Sequence, residues 1–228
     1  MPAARSHLLM IRLQFLPYGS VCTSIACASQ YGGVWKDMVT KNTLTSDDWI
    51  KAAFRALTVG GVQAIRAEAI ARDLKVSKGS FYWHFKDVPD LKAQMLAHWA
   101  REATDTIIAE VEASQLPAED RLRLLVHAAT DERTLPYGGL LADSAVREWA
   151  RFDALAATAL RSVDERRIGY VADLLGRCGF APSRSRSGAN ALYGALIGLE
   201  ALAANGLADL RADLAGLLEA LLLSRESA

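Results

Sequence analysis

The 228-residue sequence is poor in cysteine and histidine, the residues on which structural metal sites and many catalytic centres depend. Its three cysteines, Cys22, Cys27 and Cys178, are odd in number and include no CxxC pair. Its four histidines are scattered, without an HExxH motif. Zinc sites and disulfide frameworks require paired or closely spaced ligands. We therefore expect no metal, no cofactor and no catalytic residue, and we predict a reduced, cytoplasmic protein that is not an enzyme.

The chain also lacks an excess of charge of either sign. Lys and Arg together number 26, as do Asp and Glu, so the formal net charge is zero. Attraction to nucleic acid must then come from a local surplus of positive charge. Residues 41–98 hold nine basic and six acidic residues, which gives this segment +3 and leaves −3 elsewhere. No membrane helix is predicted, because the most suggestive segment, 189–204, is short and contains Glu200.

Strict alternation of apolar and polar residues, which would indicate half-buried strands, is missing as well. Apolar residues recur instead at helical spacing. Thr45 or Ser46 is predicted to cap a first helix, and a long helix is indicated by apolar residues at every fourth position from Leu91 to Val111. A later helix, from about Asp153 to Cys178, is expected to bury Leu155. The sequence predicts an all-α fold.

The first forty residues differ in pattern from the rest. Leu8–Ile11 is apolar, but Arg12 and Pro17 interrupt the stretch, so it does not form the continuous apolar core of an export signal. Met38 lies just ahead of the first convincing helix. Our hypothesis is that residues 1–40 are a flexible arm, or that the start of the protein was assigned too far upstream.

The most informative segment is Ser77–Asp87, because it combines two lysines with a run of aromatic residues in one short helical window. Ala69–Leu74 has the small and apolar residues of a short helix, and Lys75-Val76 can form a tight corner after it. The spacing turns Phe81 and Phe85 inward and leaves polar and aromatic residues on the exposed face. This pattern is typical of a helix-turn-helix whose second helix enters a DNA groove.

The run from about Trp49 to Leu96 resembles the DNA-binding domain of the tetracycline-repressor (TetR) family of one-component transcriptional regulators. The segment Phe81–Lys86 carries the most specific likeness, since the recognition helix of this family ends in such an aromatic cluster. The usual glycine of the turn is replaced by Lys75, which in a left-handed conformation costs about 1 kcal/mol. The lysine that the family often has near the start of its fourth helix is Val88 here, with other lysines close by.

The resemblance implies DNA contacts from the second and third helices. Lys78 and Ser80 are expected to read base edges, while Gly79 permits close approach to the groove. Ser77 is expected to accept a hydrogen bond from a helix amide, so that the positive helix end faces phosphate. The expected backbone contacts are Arg66, Tyr82, Trp83, His84 and Lys86. For Trp83 and His84, packing at the surface of the head is the alternative.

The resemblance also implies a division of the chain into an arm (1–40), a three-helix helix-turn-helix head (41–90) and a helical body (91–228). The long helix is expected to connect head and body. The body is expected to bind an unidentified small-molecule effector and to form a homodimer through the last two helices. Small residues in 189–204 would let helices approach closely there. The expected partner of the heads is a palindromic double-stranded DNA operator, and the expected function is ligand-responsive repression.

Two matters stay open at this point. The modest charge of the head leaves room for an alternative function, an all-helical protein-interaction module that has lost DNA binding. Aromatic residues of the body could line an effector cavity, although each suits the core as well, so none is assigned to it. These residues are Trp99, His127, Trp149, Phe152, Tyr170 and Tyr193.

Overall fold

The computed structural model describes residues 44–131, 137 and 139–225, so the predicted arm lies outside the described residues. No β-strand occurs in these ranges, and the predicted all-α fold is confirmed. The helices are α1 (Ser46–Gly60), α2 (Ala67–Asp73), α3 (Lys78–Phe81), α4 (Val88–Ala100), α5 (Thr106–Ala113), α6 (Ala118–Ala129), α7 (Leu140–Ala150), α8 (Ala154–Arg177), α9 (Pro182–Ala203) and α10 (Leu210–Leu223). A short 3₁₀ turn, Val62–Ala64, follows α1. None of the described helices is both long and apolar enough to cross a membrane.

Both ends of α1 follow from local chemistry. The Thr45 hydroxyl accepts a hydrogen bond from the Asp48 amide, and the Asp48 carboxylate accepts one from the Thr45 amide at 2.8 Å. This reciprocal capping box satisfies amides that have no partner within the helix. At the other end Gly61 has a φ of 69°, a left-handed value that favours glycine. The predicted cap is confirmed.

A tight corner joins α2 and α3. Lys75 has a φ of 57°, so a lysine does adopt the left-handed conformation there, and the amide of Val76 donates to the carbonyl of Ala71 at 2.9 Å. Ala71 is buried, and its single methyl group allows the close crossing. Ser77 is the N-cap of α3, but its side chain makes no capping hydrogen bond. The predicted cap at Ser77 is therefore wrong: the side chain is exposed to water, and the first turn is closed by its carbonyl, which accepts from Ser80 at 3.0 Å.

The core of the head continues into the body. One cluster of buried apolar residues runs from Trp49 in α1 through α2, α3 and α4 to α7 and the first half of α8, where it ends near Val163. A second cluster joins α6, the end of α8, α9 and α10. Hydrophobic packing therefore crosses residue 90, and the division into 41–90 and 91–228 stays a prediction.

The connector is not one continuous α-helix. A π-helical segment, Arg101–Asp105, separates α4 from α5. The regular hydrogen-bond ladder is interrupted in a π turn. Arg167 of α8 supplies donors at this point, to the carbonyl of Ala103 at 3.1 Å and to the hydroxyl of Thr104 at 2.9 Å. These donors come from a residue 63 positions away from Thr104, so the local apolar pattern could not reveal this contact.

One detail of the body differs from expectation. The side chain of Leu155 is 54% exposed, because the first turn of α8 projects beyond the core while Ala156 and Val163 form its buried face. The prediction that Leu155 is buried is wrong. Helix α9 begins at Pro182, so the basic stretch 183–187 is the start of this helix.

Candidate functional site

The recognition helix α3 is held in place by its two phenylalanines. Phe81 is fully buried and Phe85 is 2% exposed. The ring of Trp49 in α1 meets the ring of Phe81 edge-on, with centroids 5.5 Å apart, an arrangement that aromatic pairs prefer. Tyr82 and Trp83, between the two phenylalanines, are 58% and 87% exposed. Because Phe81 and Phe85 are buried, Tyr82 and Trp83 must point away from the core.

Lys78 and Glu68 form an ion pair between α3 and α2 on the exposed surface of the head. The hydrogen bond that Lys78 donates to the Glu68 carboxylate raises the pKa of Lys78, so the ammonium group is charged at neutral pH. Exposed pairs of this kind contribute little to stability and exchange readily with other partners. The Lys78 ammonium is therefore available to an anion that approaches the head.

The remaining predicted contact residues lie in α3 or next to α2 and α3 in the chain. Arg66 is exposed at the start of α2, two residues before Glu68, and Lys86 is exposed beyond α3. Gly79 is exposed, and a methyl group there would meet only the Ser77 hydroxyl, at 3.7 Å. The fold itself does not require glycine at this position, which leaves approach of a ligand as its possible use. Ser80 and His84 are partly buried.

A second candidate site, which the sequence did not allow us to assign, is a cavity of about 140 Å³ in the body. Its walls come from α1, α4, the π segment and α5 to α9. Three of the aromatic residues considered from sequence, Trp99, Tyr170 and Tyr193, line it. The other three do not: Trp149 is buried in the core, while Phe152 and His127 are exposed.

Two arginines and two aspartates form a network at one wall of the cavity. Arg167 donates to Asp143 at 2.9 Å, and Arg147 donates to Asp143 at 3.1 Å and to Asp164 at 2.8 Å. The hydroxyl of Tyr193 donates to Asp164 at 2.6 Å and accepts from both arginines. Two positive and two negative charges neutralise each other here, as buried ions require.

Two polar groups of the cavity wall are not satisfied by this network. Within the described ranges, the Glu200 carboxylate makes no hydrogen bond and no ion pair, and burial, with Asp143 nearby, raises its pKa to about 7. His98 is 6% exposed, and its Nε2 has no partner among the described residues. Its Nδ1 accepts from Arg101 at 2.9 Å. Burial and the positive charge of Arg101 lower the pKa of His98, so the ring is neutral and carries its proton on Nε2.

The cavity touches the head directly. Phe54 of α1 is one of its lining residues, and Tyr137 is another. The hydroxyl of Tyr137 donates to Asp47 of α1 at 2.8 Å, and its ring lies 4.4 Å from the ring of His98 on α4. A molecule in the cavity would therefore press on the first helix of the head and on the connector together.

Sequence reasoning missed Phe54, His98, Tyr137, Arg167 and Glu200 as cavity residues. The available signal was the presence of charged residues in otherwise apolar helical stripes, of which Glu200 is the clearest case. Charged groups in such positions are rarely buried without a reason. In the ranges that the structure describes, no group of three or more His, Cys, Asp or Glu residues is placed to hold a metal ion.

This geometry is that of a helix-turn-helix DNA-binding domain on a helical body with an internal cavity. The family model for bacterial regulatory proteins of the tetR family matches residues 50–91. No curated protein sequence matches the chain. The predicted resemblance to the tetracycline-repressor family is confirmed, and residues 50–91 carry it.

Solved structures share the fold at low sequence identity. Regulatory protein TetR from Rhodobacter sphaeroides is 22% identical, with a TM-score of 0.60 over 78% of this chain and 97% of that one. A TetR transcriptional regulator from Legionella pneumophila is 14% identical, with a TM-score of 0.66 over 79% and 97%. A protein from Saccharomonospora viridis, solved in complex with choline, is 18% identical, with a TM-score of 0.66 over 76% and 95%. The chain therefore has the fold of TetR-family transcriptional regulators.

Proposed function

We propose that the protein is a ligand-responsive repressor that binds a palindromic operator as a homodimer. The observation that carries the proposal is the exposed face of α3, where Lys78, Tyr82 and Trp83 project from a helix anchored by buried phenylalanines. Lysine donates to guanine acceptors in the major groove, and aromatic hydroxyls and basic side chains hold phosphates. Because such a protein acts on DNA, the proposal places it in the cytoplasm.

The cavity supports control by a small molecule. It lies against α1 through Phe54 and against the connector through His98 and Trp99. A ligand that fits the cavity better when the heads are displaced would shift the protein toward a state that does not bind DNA. The protein from Saccharomonospora viridis, solved in complex with choline, is a neighbour of the same fold that was solved with a small molecule.

Helix α9 offers the surface for the dimer. A Cβ added at Gly194 or Gly198 would meet nothing within 4 Å, and Ala191 and Ala201 are exposed beside them. Glycine in a helix costs about 1 kcal/mol relative to alanine, a loss that close approach of a second helix would offset. The leucines of α10 are largely used inside the subunit, where Leu210, Leu214, Leu218 and Leu222 are buried.

The proposal is tested by binding to a duplex taken from the region upstream of the protein's own gene. If the two heads together neutralise about six phosphates, affinity should fall roughly 1,000-fold between 50 and 200 mM salt. Fluorescence anisotropy at a series of salt concentrations measures this slope. Absence of binding at low salt would instead favour the alternative function, a protein-interaction module that has lost DNA binding. The modest positive charge of the head is compatible with that alternative.

The dimer surface is tested by Gly198→Glu. A carboxylate on each subunit at a close helix contact would bring like charges together without water, so the dimer dissociation constant should rise about 30-fold or more. Sedimentation velocity over a range of protein concentrations measures it. The matched control is Ala109→Glu on α5, an exposed position outside the last two helices. Equal dissociation constants for the two variants would contradict the assignment of α9.

A further inference from the structure

We propose that the effector cavity selects a small organic cation, with an ammonium group held by Glu200 and an apolar body enclosed by the remaining walls. The inference rests on the proposed function, which makes this cavity the effector site. It adds the chemical class of the ligand and the side chain that recognises its charge. Glu200 lies on α9, and the ammonium would lie at the cavity wall formed by that helix.

Glu200 makes no direct contact with a positive charge, although Arg167 and Arg147 act on it from a distance. Arginines and aspartates on α7 and α8 neutralise one another, while the Glu200 carboxylate has no hydrogen bond or ion pair within the part of the chain that the structure describes. A buried carboxylate without a partner is costly. An ammonium group supplies both the opposite charge and the N–H donors that the carboxylate needs.

An anionic ligand has no comparable partner in the cavity. Arg167 is the basic residue of the lining, and each nitrogen of its guanidinium already donates: Nε to Thr104, one terminal nitrogen to Asp143 and Tyr193, and the other to the Ala103 carbonyl. Arg147 is committed to Asp143 and Asp164 in the same way. Because four of the five N–H groups of Arg167 already donate, a carboxylate ligand would have to share this guanidinium with Asp143 and would also face the charge of Glu200.

The rest of the cavity suits an apolar body. Phe54, Ile107, Ile108 and Leu196 line it together with the ring of Tyr170. An apolar cavity of about 150 Å³ accepts a molecule of the size of benzene, and the present one measures about 140 Å³. The ligand that fits this description is an amine with one compact apolar group.

Three probes of nearly equal size and different charge test the inference on the full-length protein at pH 8, above the pKa of about 7 of Glu200, so that the carboxylate carries its charge. Benzylamine is the cation, benzyl alcohol the neutral compound and benzoate the anion. Isothermal titration calorimetry should give a dissociation constant for benzylamine at least about 10-fold lower than that for benzyl alcohol, because a hydrogen bond between charged groups is worth this much or more. Benzoate should bind most weakly.

Glu200→Gln keeps the shape of the side chain and removes its charge. Benzylamine affinity should then fall about 10-fold, toward that of benzyl alcohol, whose own affinity should change less than about 2-fold. The matched control is Glu148→Gln on α7, an exposed carboxylate that pairs with Arg151; it should leave all three affinities unchanged. Circular dichroism verifies that both variants are folded.

The inference is overturned if benzyl alcohol or benzoate binds wild-type protein as tightly as benzylamine, or if none of the three binds. It is also overturned if Glu200→Gln retains the preference for the amine. The salt-dependent duplex binding described above is measured without ligand, so it can succeed when the cation assignment fails. If benzylamine binds with the expected preference but leaves duplex affinity unchanged, the ligand class stands and the control of DNA binding fails.

Discussion

Replacing Lys78 and Tyr82 together by alanine is expected to lower the affinity for the upstream duplex about 100-fold. Lys78 is the predicted base reader, and losing a base contact of this kind typically costs roughly 10-fold or more. Tyr82 is 58% exposed beside it and is predicted to hold a phosphate. A dimer places two copies of each residue on the duplex. The free-energy losses at the two half-sites therefore add, and a roughly 10-fold loss of affinity at each becomes about 100-fold. Fluorescence anisotropy at fixed low salt measures the change.

The matched control for this variant is Arg186→Ala. Arg186 is an exposed basic residue on α9, in the body, so its removal subtracts a positive charge without touching α3. Its effect on duplex affinity should stay within about 2-fold, since exposed charges beyond a Debye length are largely screened. Circular dichroism should show equal helicity for all three proteins. If the double variant binds as tightly as wild type, the predicted DNA contacts are wrong.

The second large effect concerns Phe81. Phe81→Ala should lower the free energy of unfolding by about 3–5 kcal/mol, because it removes a fully buried ring and leaves a cavity between α3 and α1. Urea unfolding followed by circular dichroism measures the loss. Protein concentration must be equal for every variant, since the stability of a dimer depends on it.

Trp83→Ala separates stability from DNA binding. Trp83 is 87% exposed, so its removal should change the free energy of unfolding by no more than about 0.5 kcal/mol. Duplex affinity should nevertheless fall if this ring holds the backbone as predicted. A loss of stability as large as that of Phe81→Ala would show that Trp83 serves packing, which was the alternative for this residue.

The recognition region could be predicted because its features are local. The Thr45 cap, the buried positions of Phe81 and Phe85 and the left-handed Lys75 each depend on residues within a few positions of one another. Helical periodicity and turn chemistry act over this range. The prediction of a Ser77 cap was wrong because the residue type shows only that a capping hydrogen bond can form. An exposed serine can form a hydrogen bond with water instead.

The cavity could not be predicted because its parts are distant in the chain. Tyr193 bonds to Asp164 across 29 positions, Arg167 bonds to Thr104 across 63, and Tyr137 reaches Asp47 across 90. The pattern of residues within one helix gives no information about contacts between residues so far apart in the chain. The π segment illustrates the same point, since apolar spacing predicted a continuous connector, and the donors that accompany the interruption come from α8.

By itself the sequence determined the all-α class, the caps of the first helix and the two-helix unit that buries Phe81 and Phe85 and leaves Tyr82 and Trp83 exposed. These properties follow from backbone sterics and from which side chains prefer to leave water, and both act between near neighbours. Tertiary structure alone decided which charges are neutralised and which remain available. That outcome depends on the distances between atoms of different helices, and for Glu200 it left a partly buried carboxylate at the cavity wall with no hydrogen bond or ion pair in the described chain.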